Sequence, residues 1–300
     1  MAQQRKTTII ALANQKGGCG KTTSSVSISA GLALRGRTVC LIDTDPQCNA
    51  TDTFGLDRDA LESEGMLSVG DCIVAKTPAR EIRLDFGERF EGRLSLVVGN
   101  RGLGSVPHRL EAERLATTAR HGHSELDGDD YKSEHRLRLK NALASLRGHV
   151  DFVIIDTPPE LGFLMTSGLI ACDYFIIPVF PSSYDLKGLE TLLKNVAKVK
   201  EHYNKDLELL GVLLGNYDGR AKLDADVRAM LVTKFGDGAV FDTVIHRSVR
   251  HREAPVYGRT IFEHALSEAP ALQFLALSDE ILQRVEHAGA ANIVAEAANA

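Results

Sequence analysis

The chain has no Cys-x-x-C pair, no apolar run long enough to cross a bilayer and no excess of positive charge. Each absence removes a class of function. The five cysteines, Cys19, Cys40, Cys48, Cys72 and Cys172, are odd in number and scattered, which argues against a disulfide framework or a zinc site and fits a reducing compartment. A formal net charge of -5 excludes coating of nucleic acid by overall attraction, so any DNA contact must come from a local basic patch. The opening stretch MAQQRKTTIIALA carries only a short apolar run before a glycine loop, so the expectation is a soluble cytoplasmic protein without a signal peptide or membrane span. What the chain does have is 300 residues, 44% of them hydrophobic and 25% charged, enough for a substantial buried core.

Seven short β-branched runs read as buried strands: TTIIALA, TVCLID, LSLVVGN, HVDFVIID, YFIIPVF, LLGVLLGN and VFDTVI. Most are separated by segments with helical apolar spacing, so the expected fold class is α/β, a mostly parallel twisted sheet with helices on both faces. Such sheets bind ligands beyond the carboxyl ends of their strands. GGCGKTT, DTDPQ and DTPPE follow three of the runs directly and would converge on one crevice. A polar insert from about Arg101 to Gly148 contains RHGHSELDGDDYKSEHR and reads as a solvated loop between two helices. Residues 1–288 read as a single domain; the last helix, around Ala271 to His287, gives way to a short C-terminal tail at 289–300.

The common phosphate-loop pattern G-x-x-x-x-G-K-[ST] would end at Gly20, Lys21 and Thr22, yet it needs a glycine where Gln15 stands. The chain has instead Lys16-Gly17-Gly18-Cys19-Gly20-Lys21-Thr22, which keeps the functional end and adds a lysine at its front. Glycines at 17, 18 and 20 let the backbone turn tightly and aim N–H groups at phosphate oxygens. Cys19 fills the variable slot. Lys21 would reach the β- and γ-phosphates, the Thr22 hydroxyl would ligate Mg2+, and Thr23 is placed for the α-phosphate. In LIDTDPQ, Asp43 and Asp45 fall on one side of an extended strand. One of the two would hold a magnesium-bound water while the other orients the attacking water. The run Phe152-Val153-Ile154-Ile155-Asp156 has the layout of a Walker B strand, with Asp156 supporting the metal.

KGGCGKTT, LIDTDPQCNAT and IIDTPPELGFL together resemble the three motifs of the ParA/MinD-type ATPases, the P-loop group with a deviant Walker A loop, and specifically the ParA (Soj-like) partition branch. YFIIPVFPSSYDLKGLETLL, LLGVLLGNYDGR and VIHRSVRHREAPVYGRTIFEH extend the likeness over nearly all the chain outside the insert and the tail. The resemblance implies a P-loop fold, ATP and Mg2+ as cofactors, and a homodimer with two ATP molecules sandwiched between subunits. It gives Lys16 the task of reaching the partner's nucleotide, and Gly17 that of letting the facing subunit approach. It makes Asp45 the residue that orients the hydrolytic water, with Asp43 and Asp156 around the magnesium through water. Pro178, Pro181 and Asn216 would line the adenine.

The same resemblance implies non-specific DNA binding through Arg220 and Arg250. His246-Arg247-Ser248-Val249-Arg250-His251-Arg252 contains no acid, so Arg247 and Arg252 join the candidate patch, although the family often has proline where His246 stands. The function implied is a DNA-partition ATPase: ATP drives dimerisation, the dimer coats nucleoid DNA, and a ParB-like or cargo-adaptor partner stimulates slow hydrolysis. The cargo would be a chromosome or a plasmid. The alternative is a ParA-like positioning ATPase for a protein assembly such as a chemoreceptor cluster or carboxysome. A MinD-like membrane regulator would need a basic amphipathic C-terminal helix, and the tail has no lysine or arginine after Arg284. An iron–sulfur electron donor would need cysteines after Asp156, where Cys172 stands alone.

Overall fold

A computed structural model describes residues 6–121, 134–183 and 185–298, with side chains at 117–121, 183 and 289–298 left aside. Among the described residues, seven strands form one sheet in the order β3-β4-β2-β5-β1-β6-β7. They are β1 (Thr8–Leu12), β2 (Val39–Asp43), β3 (Leu84–Asp85), β4 (Leu94–Val97), β5 (Phe152–Asp156), β6 (Tyr174–Val179) and β7 (Glu208–Leu214). Every neighbouring pair is parallel except β3 with β4. The expected mostly parallel α/β sheet is therefore present.

The strands alternate between two cores, as a period of two requires. Ile9, Ala11 and Ala13 face one side, where the helices Arg138–Ala144, Phe163–Ala171, Leu186–His202 and Lys222–Phe235 bury residues such as Leu143, Met165, Leu192 and Leu231. Ile10 and Leu12 face the other, against Ile28 and Leu32 of the helix Lys21–Leu34 and Phe274 and Leu277 of the helix Ala269–Ala298. These last two helices pack tightly because a Cβ at Gly31 would collide with Ser278 Oγ.

Register sets the site. Leu12 pairs with Asp156 and Asp43 pairs with Asp156, so the ends of β1, β5 and β2 lie level in adjacent strands. The loops that follow them must meet. Thr157 Oγ1 donates to the Leu12 carbonyl at 2.6 Å, and Thr44 Oγ1 to the Asp156 carbonyl at 2.6 Å, locking the three strand ends together.

The seventh expected strand, VFDTVI, is not one. The segment runs beside β7 with only isolated bridges, Val212 to Val240 and Tyr217 to His246. The cause lies in the C-terminal helix: Glu280 accepts the amides of Asp242 and Thr243 at 2.9 Å each, and Arg284 donates to the Val240 carbonyl at 2.8 Å. Those backbone groups are taken before a ladder can form. Strand β3, in contrast, is two residues long and has no apolar run to announce it. The insert begins with a short 3-10 turn and the helix Val106–His121 and resumes at Glu134, so the loop expected at its centre lies outside the described residues. The last helix continues through the expected helical tail to Ala298, which suits its alanine-rich sequence.

Candidate functional site

The helix Lys21–Leu34 opens directly after Gly20, whose φ of 85° and that of Gly18, 70°, fall in the left-handed region that favours glycine. A Cβ at Gly20 would lie 2.7 Å from the Phe180 ring, and one at Gly215 would lie 2.6 Å from the same ring. Phe180 is thus wedged between the phosphate loop and the end of β7. A Cβ at Gly17 would meet nothing within 4 Å among the described residues.

Lys21 is buried, and its Nζ donates to the Lys16 carbonyl at 3.0 Å, with Cys19 Sγ at 3.9 Å. The lysine is folded onto its own loop. Cys19 is buried as well, and burial pushes its thiol pKa up, so it fills space and is not poised as a nucleophile.

Behind the loop, Asp43, Asp45 and Asp156 are all buried. Asp43 Oδ2 accepts the Thr51 amide at 2.9 Å and the Thr51 hydroxyl at 2.7 Å, while Oδ1 accepts the Asp45 amide at 3.3 Å. Its oxygens are held by its own neighbours. Asp45 uses Oδ1 to accept the Gln47 amide at 2.9 Å. Asp156 Oδ1 meets the Ser25 hydroxyl at 2.9 Å, whereas Oδ2 is buried with no partner among the described residues. Burial raises the pKa of both Asp43 and Asp156; for Asp156 the adjacent Asp43 adds to the rise, and the Thr22 and Ser25 hydroxyls oppose it. Two acids pressed together in a dry site favour keeping a proton or gaining a cation.

A cavity of about 780 Å³ opens over this array. The loop residues Gly17, Gly18, Gly20, Lys21, Thr22 and Thr23 line it, as do Asp45 and Asn216. Arg247 and Arg252 line the same cavity, so the phosphate loop and the basic segment share one space. Lys16 and Cys19 border a small separate pocket beyond Phe180. Pro178 and Pro181 lie outside the cavity: the Pro178 carbonyl accepts from Asn14 at 2.7 Å inside β6, and Pro181 opens a short 3-10 turn. Phe180 and Ser182, their neighbours, reach it instead.

The four candidate arginines divide. Arg220 is 94% exposed and meets Asp218 at 3.2 Å, and it shares a cavity of about 550 Å³ with Arg247, Tyr217 and His246. Arg247 and Arg252 have no ion pair among the described residues. Arg250 is gripped by Glu253 and Glu268, each at 2.9 Å. Sequence reasoning missed Ser25, Thr51, Phe180 and His251. Ser25 carried a faint signal, one helical turn after Lys21; the others depend on contacts between distant segments.

Comparison with known proteins bears on this site. Residues 7–209 match a family model described as an AAA domain. The chain is 35% identical over 278 residues to the sporulation initiation inhibitor protein Soj of Bacillus subtilis, covering 91% of this chain and 97% of that one. It is also 35% identical to the chromosome-partitioning ATPase Soj of Thermus thermophilus, covering 93% and 97%. Among solved structures, cobyrinic acid a,c-diamide synthase from Mycobacterium smegmatis with bound ADP and magnesium superposes with a TM-score of 0.73 at 28% identity, over 93% of this chain and 96% of that one.

Proposed function

Because this chain belongs to the ParA/MinD-type P-loop ATPases, we propose that it is a partition ATPase. It dimerises around ATP, binds DNA without sequence preference and hydrolyses ATP when a cargo-bound, ParB-like partner stimulates it, segregating chromosome or plasmid DNA. ATP hydrolysis with magnesium is its chemistry. The observation that carries the reading is the shared cavity: the phosphate loop and the unpaired Arg247 and Arg252 line one space, so its occupant acts on both.

The residues fit a magnesium ion. Asp156 Oδ2 is a buried acceptor without a partner among the described residues, and Thr22 lines the cavity at the start of its helix. Among the described residues no cluster of three or more His, Cys, Asp or Glu could hold a metal unaided, so the ion would be held jointly with phosphate. Thr22 would ligate it, with Asp43 and Asp156 acting through water. Bound there, magnesium neutralises charge developing on the β- and γ-phosphates.

The chain's own groups do the rest. Amides of the Gly17–Thr23 loop and the helix N-terminus cradle the phosphates, and Lys21 leaves the Lys16 carbonyl to meet them. Asp45 keeps one oxygen free of the Gln47 amide and orients the attacking water. Lys16, on the far side of Phe180 from its own cavity, serves the partner's nucleotide, and Gly17 keeps the dimer face open. Asn216 meets the base. Residues 1–288 work as one ATPase domain, in the cytoplasm and on the nucleoid. Arg220 and Arg247 lead the contact with DNA phosphates, with Arg252 beside them and Arg250 as a weaker contributor because its charge is already paired.

The test is binding to random-sequence duplex DNA at low salt with magnesium, comparing ATP with ADP in wild type and Lys16→Ala. Binding with ATP alone, lost in the variant, is expected. Equal binding in every state, or none, would overturn the DNA-track reading.

A further inference from the structure

Besides the phosphate loop, the cavity is lined by Asn216, Ile245, Ser248, His251 and Phe274. His251 lies in the short helix Arg250–Val256, half-buried, its ring edge-on to Phe274 with centroids 5.7 Å apart and planes at 90°. Both ring nitrogens are shut off from solvent, and neither has a hydrogen-bond partner among the described residues. Burial pushes the imidazole pKa down; the His246 carbonyl opposes this without completing a hydrogen bond. A neutral ring carries one donor and one acceptor, and leaving both unmet inside a protein is costly. The ion pairs on either side, Arg250 with Glu253 and Glu268 and His264 with Glu253, leave the ring out. Among the described residues the fold therefore completes no hydrogen bond to either ring nitrogen.

A half-turn about the Cβ–Cγ bond keeps the outline of an imidazole and exchanges each nitrogen for a carbon. For a ring that lines a cavity with neither nitrogen exposed, that turn costs little in packing and presents a nitrogen to whatever the cavity holds.

We infer that His251 is a specificity-determining residue for the nucleoside: when ATP enters, the ring turns and one nitrogen hydrogen-bonds the nucleoside moiety. The inference rests on the ATPase reading above. The orientation of the ligand follows from the chemistry of the lining. The Gly17–Thr23 loop supplies backbone amides and a lysine, which suit phosphates; Ile245 and Phe274 supply apolar walls among three polar side chains, Asn216, Ser248 and His251, which suit a nucleoside.

Calorimetric titration of the full chain with ATP and with tripolyphosphate, which has no nucleoside, separates nucleoside contacts from phosphate contacts. In His251→Leu, ATP affinity falls about five- to tenfold, the worth of one net hydrogen bond, while tripolyphosphate affinity is unchanged. His251→Gln, which keeps a donor and an acceptor, stays within about twofold of wild type. In protein carrying 15N-histidine, the signal that disappears in His251→Leu shifts when ATP is added and holds still with tripolyphosphate. Wild-type ATP affinity in His251→Leu, or equal loss for both ligands, overturns the inference. A wild-type protein that binds neither ligand overturns the ATPase reading itself, a separate result.

Discussion

Gly20→Ala tests how the phosphate loop is held. Two costs add. At a φ of 85° an L-residue loses about 1–2 kcal/mol relative to glycine. The new Cβ would also stand 2.7 Å from the Phe180 ring, well inside van der Waals contact. The ring cannot withdraw toward β7, because Gly215 already accepts it so closely that a Cβ there would be 2.6 Å away. Overpacking of this kind costs about 1–3 kcal/mol. The single variant is therefore expected to lose about 2–5 kcal/mol, the sum of the two terms.

Only the second cost depends on the ring, so Phe180→Leu separates them. Phe180→Leu alone pays a modest cavity cost. Placed on Gly20→Ala it returns the steric share and leaves the backbone share, giving a coupling of about 1–3 kcal/mol in a double-mutant cycle. Urea unfolding followed by far-UV circular dichroism, with the four proteins at one pH, measures it. A coupling below about 0.5 kcal/mol, the level at which independent sites add, would refute the wedge argument and leave the glycine explained by backbone conformation alone.

Glu280→Gln tests the clamp that replaces the seventh strand. Burial would raise the Glu280 pKa, but the Thr243 and Asp242 amides and Arg284 outweigh it and hold the carboxyl below its ordinary range. A depressed native pKa adds stability above the unfolded value of about 4.3 that is lost as pH falls through the native one. The variant should lose about 1–3 kcal/mol at pH 7, and the gap should narrow as pH falls below about 4.3; a gap that does not narrow in acid would refute the argument. Asp156→Asn should raise the magnesium concentration for half-maximal ATP turnover by about 10- to 100-fold, the usual cost of removing a group that holds a metal through water. An unchanged half-saturation would remove Asp156 from the metal's surroundings.

Much of the site was legible because its motifs are local. Each acid or glycine loop follows its apolar run within a few residues, and parallel packing brings strand ends level, so Lys21, Asp45 and Asp156 could be gathered from order alone. The prolines show the limit. Pro178 and Pro181 sit at a strand end, but Phe180 and Ser182, where the strand gives way to a 3-10 turn, line the cavity instead. VFDTVI has the residues of a strand and loses its ladder to Glu280 and Arg284, some 40 residues on, which no local pattern encodes. The hold of Thr51 on Asp43 was not legible from the strand, because Thr51 lies in the next helix, eight residues away.

The arginines bring these threads together. Arg250 stands in an acid-free heptapeptide, yet Glu253 follows three residues later and Glu268 folds back from eighteen residues away, so its charge is met within the subunit. A DNA phosphate reaching Arg250 must compete with two carboxylates already at 2.9 Å. At Arg220 the competitor is one exposed aspartate at 3.2 Å, and such surface pairs are worth about 0–1 kcal/mol. Arg247 has no ion pair among the described residues, though its charge is felt at Asp218, and it borders two spaces, the cavity over the phosphate loop and the Arg220 cavity. On the DNA-binding reading it is the residue through which occupancy of the first space can be felt in the second. Arg250 then has a different task. Glu268 ties the helix Arg250–Val256 to the start of the C-terminal helix, while Glu253 pairs with Arg250 within its own helix, and together they fix the platform from which Arg252 projects.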